Sequence, residues 1–122
     1  MLSFFFDTYA FYEVIVGNPN YKQYSKNVKI VTTQLNLMKL YYQLLLIYDK
    51  RTAVELFKRY EELIVPISNS VIIEAMDFRK QHNKKKLSYV DCIGYIIAKD
   101  SGVPFLTGDQ QFKEMTNVKF VK

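Results

Sequence analysis

Two short apolar runs, LSFFFD at residues 2–7 and VPFLTGD at residues 103–109, each end on an aspartate. An apolar run without alternation suits a strand buried on both faces, which is the condition of strands in a parallel sheet covered by helices. The first run is followed by Thr8, a good N-cap, and by YAFYEVIV (9–16), which reads as a helix. A buried strand feeding directly into a helix restricts the chain to α/β architectures.

The remaining chain supports that class. GNPN (17–20) punctuates, VKIVT (28–32) reads as a second strand, and the apolar run from Leu35 to Tyr48 reads as a helix carrying a single charge, Lys39. DKRTAVELFKRYEEL then places Ala53, Leu56, Phe57 and Tyr60 at helical spacing, so the two helices are expected to form a hairpin. LIVPI (63–67) reads as a third strand. SNSVIIEAMDFRKQHNK reads as a helix with Val71, Ala75 and Phe78 along one side. LSYVDCIGYIIAKDSG has Ser88 as N-cap and Gly102 as stop, and VKFV (118–121) forms a last strand. At 122 residues the chain suits one domain, 1–122, with short strands in a mainly parallel sheet and no internal repeat.

Nearly half of the residues are apolar and only four are Gly and three Pro, which excludes a disordered or low-complexity chain. The apolar start lacks a positive n-region and holds Asp7 and Glu13, so it is a poor signal peptide. No apolar run approaches the roughly 20 residues of a membrane span. The single cysteine, Cys92, permits no intrachain disulfide, and a cytoplasmic location is expected. The 17 basic and 12 acidic residues leave a charge of +5, with Arg79, Lys80, Lys84, Lys85 and Lys86 concentrated in RKQHNKKK (79–86). Such a cluster suits RNA, but taken alone a charged run is more often a solvated helix end and loop.

Three carboxylates carry the chemical reading. Asp7 and Asp109 follow apolar strands, and the carboxyl ends of strands border the ligand crevice in open α/β sheets. Asp91 lies three residues after Ser88, where S-x-x-D is also a capping-box variant. Asp7 equally suits a cap, and Asp109 a turn. Gathered at one sheet edge, the three would repel one another unless a cation sat among them. Mg²⁺ or Mn²⁺ takes a few carboxylate oxygens and leaves room for substrate phosphates, a basis for phosphodiester hydrolysis. No Ser–His or Cys–His arrangement competes, since the only histidine, His82, falls in the basic loop as a surface residue. A phosphoacceptor receiver domain or a haloacid-dehalogenase-type phosphatase would need acid pairs that Asp7, Thr8, Tyr9 and LTGDQQF do not supply.

The segments FFFDTYAFYEVIVGNPNY, LSYVDCIGYIIAKDSGVPFLTGDQQF and NVKFV together resemble the PIN-domain ribonucleases, and among them the VapC-like toxins of prokaryotic toxin–antitoxin pairs. The 18-residue interval from Asp91 to Asp109 is the most specific element. The resemblance implies a three-layer α/β/α fold whose acids hold Mg²⁺ or Mn²⁺ and cut single-stranded or loop RNA. It assigns metal and catalytic roles to Asp7, Asp91 and Asp109, with Thr8 and Thr107 in support. The family's second acid is a glutamate in a setting like L-N-L-x-E-L-Y-Y, where this chain reads LNLMKLYY and has Lys39.

By spacing alone, Asn36, Lys39, Gln43 and Lys50 form one polar, solvent-facing stripe on an apolar helix. The resemblance places that stripe on the metal crevice, where a lysine would weaken or abolish the nuclease. The resemblance further implies an antitoxin partner and a homodimer, with Tyr41, Tyr42, Tyr48 and Phe57 as a candidate dimer face. The alternative from a different class is a non-catalytic PIN module that binds RNA or a protein partner.

Overall fold

Phe4, Phe5 and Phe6 alternate across the first strand, and that alternation sets the layers of the molecule. In the computed structural model, which describes residues 1–122, β1 (Leu2–Phe6) lies in the interior of a four-stranded sheet. Its neighbours are β2 (Val28–Val31) and β3 (Phe105–Thr107), and β4 (Val118–Phe120) lies beyond β3. All pairings are parallel, with Phe5 opposite Val31 and Phe6 opposite Leu106.

Phe4 and Phe6 face a core shared with Phe11 of α1 (Thr8–Ile15), with Leu37, Leu40 and Leu44 of α2 (Gln34–Leu45), and with Ala53 and Leu56 of α3 (Lys50–Tyr60). Phe5 points the other way. It packs with Phe105, with Ala75 of α4 (Asn69–Gln81), and with Cys92, Ile93 and Ile96 of α5 (Tyr89–Ser101). Burial of each fully enclosed phenylalanine contributes about 1.5–3 kcal/mol, which is why β1 needs an apolar residue at every position from Phe4 to Phe6. The result is the α/β/α sandwich anticipated from the sequence, with α1–α3 on one face and α4 and α5 on the other.

Several local readings change. The strand expected at residues 63–67 is reduced to one parallel bridge, Thr32 with Ile64. Leu63 is taken up in a 3-10 turn (Glu61–Leu63), and the neighbouring chain leaves the sheet at Thr33, the N-cap of α2, so the ladder has no partner to continue along. Thr8 is not the cap of α1. Asp7 fills that role, its carboxylate accepting the Thr8 N–H at 2.9 Å. Asn36 is not on a solvent stripe but fully buried, and Lys50 starts α3 instead of continuing α2. The helix expected through residue 84 ends at Gln81. His82, expected on the surface, is half-buried, with its ring 4.3 Å from that of Phe78. Ser88 and Gly102 cap α5 as anticipated, Gly102 in the left-handed conformation at φ 70°. No helix is long and apolar enough to cross a membrane.

Because the strands are parallel, Asp7 after β1 and Thr107 to Asp109 after β3 emerge at the same sheet edge. α5 runs back against the strands, so its N-terminus, with Asp91, returns to that edge. Topology alone brings the three aspartates to one edge of the sheet.

Candidate metal centre

Asp7 is 3% exposed. Its backbone N–H donates to the Leu106 carbonyl at 3.2 Å, which extends the sheet by one residue and fixes the carboxylate at the strand end. One carboxylate oxygen caps α1 through Thr8, and the other accepts the Thr107 hydroxyl at 2.8 Å. Thr107 also accepts the Asp109 N–H at 3.0 Å, so one hydroxyl orients both strand-end acids. Asp109 in turn accepts the Gln111 N–H at 3.0 Å, starting the 3-10 turn Gln110–Phe112.

Asp91 shows how one side chain serves fold and site together. Its Oδ2 accepts the Ser88 N–H at 3.1 Å while its own N–H donates to the Ser88 hydroxyl at 3.0 Å, completing the capping box. Its Oδ1 lies 3.5 Å from Lys39 Nζ.

Lys39 leaves α2 toward this edge with its side chain 38% exposed. Its placement traces back to Thr8, whose hydroxyl donates to the Asn36 carbonyl at 3.2 Å and accepts from the Asn36 amide at 3.4 Å. Asn36 is itself held by Thr33, the cap of α2, at 2.6 Å. This buried network locks the first turn of α2 to α1, and Lys39 follows one turn later. Thr8 therefore acts on the site by placing α2 and makes no hydrogen bond to the other acids.

The aspartates and Lys39 line a crevice of about 450 Å³. Tyr12, Glu13, Gln43 and Lys122 line it as well. Of these, Gln43 was visible as a polar position one turn after Lys39. Tyr12 and Glu13 follow Thr8 and Tyr9 at helical spacing on α1, a signal that only a known direction of α1 would have made readable. Gly108 has to be glycine, since a Cβ there would run into the Tyr9 ring and lie 2.5 Å from the Val121 carbonyl oxygen. Arg79, Lys80, Lys84, Lys85 and Lys86 do not line the crevice. Tyr41 packs edge-on against Phe57, with ring centres 5.9 Å apart, while Tyr42 and Tyr48 are exposed.

Burial, followed by the charge of Asp91, pushes the Asp7 carboxyl up to about 7, against the Thr107 hydroxyl, the Lys39 ammonium and the Thr8 N–H, which all favour the anion. Two buried acids thus compete for the positive charge within reach. The donor atoms are hard oxygens of the kind that Mg²⁺ and Mn²⁺ prefer. By type the residues fit such an ion, but no three Asp, Glu, His or Cys side chains converge as a ready-made metal cage. An ammonium stands against Asp91 instead of a further carboxylate. Cys92, the next residue of α5 and fully buried in the core, has its thiol pushed up to about 11, chiefly by burial, and is no nucleophile.

Residues 4–118 match the family model described as PIN domain. No curated protein matches the sequence significantly. Solved structures with the same fold include VapC20 of Mycobacterium tuberculosis, described as a sarcin–ricin-loop-cleaving toxin, at 17% identity and TM-score 0.74, over 94% of this chain and 98% of that one. VapBC2 of Rickettsia felis, bound to a DNA fragment from its promoter, is similar at 14% identity and TM-score 0.74, over 99% and 100%. A toxin–antitoxin complex from Klebsiella pneumoniae is similar at 18% identity and TM-score 0.72, over 94% of each chain.

Proposed function

The chain belongs to the PIN-domain family, and from that premise we propose that it is a metal-dependent endoribonuclease, the toxin of a cytoplasmic toxin–antitoxin pair, attenuated by Lys39. The observation that carries this reading is the pairing of two buried, separately braced aspartates at the mouth of one crevice, with Lys39 drawn against one of them. The toxin–antitoxin setting of the structural neighbours supports an antitoxin partner. A homodimer through the exposed part of the α2–α3 hairpin, around Tyr42 and Tyr48, belongs to the same reading.

Asp7, Asp91 and Asp109 would hold Mg²⁺ or Mn²⁺. When bound, the ion would polarise the phosphodiester and supply a hydroxide-like water. Thr107 keeps Asp7 and Asp109 oriented, and the Ser88 N–H keeps Asp91 oriented. Lys39 has two opposed effects. Its ammonium neutralises Asp91 and repels a divalent ion, yet its exposed end is placed to donate to a phosphate oxygen of RNA in the crevice. Replacing a ligand acid by a cation changes the site by two charges, and near a protein surface each pair of unit charges at a few ångströms interacts by roughly 1–4 kcal/mol. Metal affinity is therefore lower than with glutamate by about one to three orders of magnitude.

A second reading, a PIN module that binds RNA or a protein without cutting, is favoured by the same ion pair and by the absence of a converged three-acid group. Cleavage of single-stranded RNA in Mn²⁺ separates the two. On the proposal, Lys39→Glu cleaves at least about tenfold faster than the wild-type chain, and Asp7→Asn in that background abolishes the gain. A folded Lys39→Glu protein without cleavage would favour the binding module.

A further inference from the structure

The loop carrying Lys84, Lys85 and Lys86 is not free. The Lys86 N–H donates to the Gln111 side-chain oxygen, and the Gln111 side-chain NH₂ donates back to the Lys86 carbonyl at 3.0 Å. This two-point clasp treats the Lys86 backbone as one strand would treat another. The Lys85 ammonium adds a bond to the Gln111 carbonyl at 3.0 Å. On the other side, the Arg79 side chain donates to the Leu87 carbonyl at 3.1 Å while its guanidinium lies 4.7 Å over the Tyr89 ring.

Gln111 belongs to the turn that Asp109 caps, and Asp109 and Gln110 line the crevice. A continuous hydrogen-bonded path therefore runs from Asp7 through Thr107, Asp109 and Gln111 to the basic loop. A solvated lysine run has no need of two anchors. Anchoring costs the loop conformational entropy and ties a run of three exposed lysines to the turn that Asp109 caps, the opposite of what charge repulsion among them would favour.

We propose that Gln111 is a positioning residue that holds Lys84, Lys85 and Lys86 as an entry track for the phosphate backbone of single-stranded RNA at the Asp109 rim of the crevice. The track supplies the affinity for polyanion that the acid-lined crevice lacks, and it gives the strand one direction of approach. The inference rests on RNA being the substrate of the proposed nuclease, but it concerns binding and needs neither metal nor cleavage.

The test is binding of a fluorescent single-stranded RNA to the full chain in EDTA, as a function of salt, with a melting curve for each variant. The triple variant Lys84→Ala, Lys85→Ala, Lys86→Ala is expected to weaken binding and to flatten the slope of log affinity against log salt by roughly 1.5 to 2. Gln111→Ala is expected to weaken binding about threefold or more, and to cause no further loss in the triple background, because the two changes act through one element. Lys29→Ala, on the edge strand β2, is the charge control and is expected to leave binding near the wild-type value. Independent, additive effects of Gln111→Ala and the triple variant would overturn the proposal, as would a lowered melting temperature for Gln111→Ala with RNA affinity intact. A wild-type chain that binds no RNA would overturn both this track and the RNA reading, whereas wild-type binding unaffected by the triple variant would overturn the track alone.

Discussion

Replacing Lys39 by methionine keeps an unbranched apolar side chain of similar length and removes the ammonium that reaches Asp91. At the observed 3.5 Å, the attraction to Asp91 ranges from about 1 kcal/mol in water to about 5 kcal/mol at an effective dielectric constant near 20. With 38% of the lysine side chain exposed, solvent screening brings the net value toward the lower limit, about 1–2 kcal/mol. Loss of the ammonium also leaves two buried carboxylates, Asp7 and Asp91, with no opposing charge between them. Lys39→Met is therefore expected to lower the melting temperature by about 3–10 °C at pH 8 in EDTA and low salt. The difference shrinks in 1 M salt and shrinks to the weaker contribution from Asp7 when Asp91 is also changed to Asn, so a double-mutant cycle reads the Lys39–Asp91 part directly. A Lys39→Met protein as stable as the wild type under these conditions would refute the view that Lys39 serves as the counter-ion of the acid pair.

Two further outcomes follow from the geometry. Asp7 keeps its proton in the folded chain up to about pH 7 but loses it near 3.8 when unfolded, so the folded state binds more protons within that window and its stability falls as pH rises from about 4 to 7. The loss is on the order of 4 kcal/mol, and Asp7→Asn flattens it; parallel urea-unfolding profiles for wild type and Asp7→Asn in EDTA would contradict the assignment. Gly108→Ala forces Tyr9 or the end of β4 aside and is expected to destabilise the chain by about 1–3 kcal/mol, so an unchanged melting curve would show that the turn has slack.

The acids were legible in the sequence because their signal is topological. A buried parallel strand that ends in aspartate puts that aspartate at the carboxyl edge whatever the details of packing, and the α5 cap brings Asp91 back to the same edge. Lys39 was legible as a charge on an apolar helix, though spacing alone turned it to solvent. Its true position depends on the buried Thr33–Asn36–Thr8 network, in which a polar residue lies inside because every polar atom finds a partner. Periodicity counts polarity and cannot count partners, so Asn36 was assigned to the wrong face. The strand at 63–67 failed for a related reason: β-rich composition is local, while a ladder needs a partner strand, and the neighbouring chain turns into α2 at Thr33. Gln111 had no signal in the sequence at all, because its partner backbone lies 25 residues away.

Calorimetric titration of Mn²⁺ into the wild-type chain and into Lys39→Glu tests the central claim most directly. Attenuation by Lys39 predicts no saturation of the wild type at micromolar Mn²⁺ and an affinity gain of roughly tenfold to a thousandfold for Lys39→Glu. Micromolar binding by the wild-type chain, accompanied by robust RNA cleavage, would contradict it.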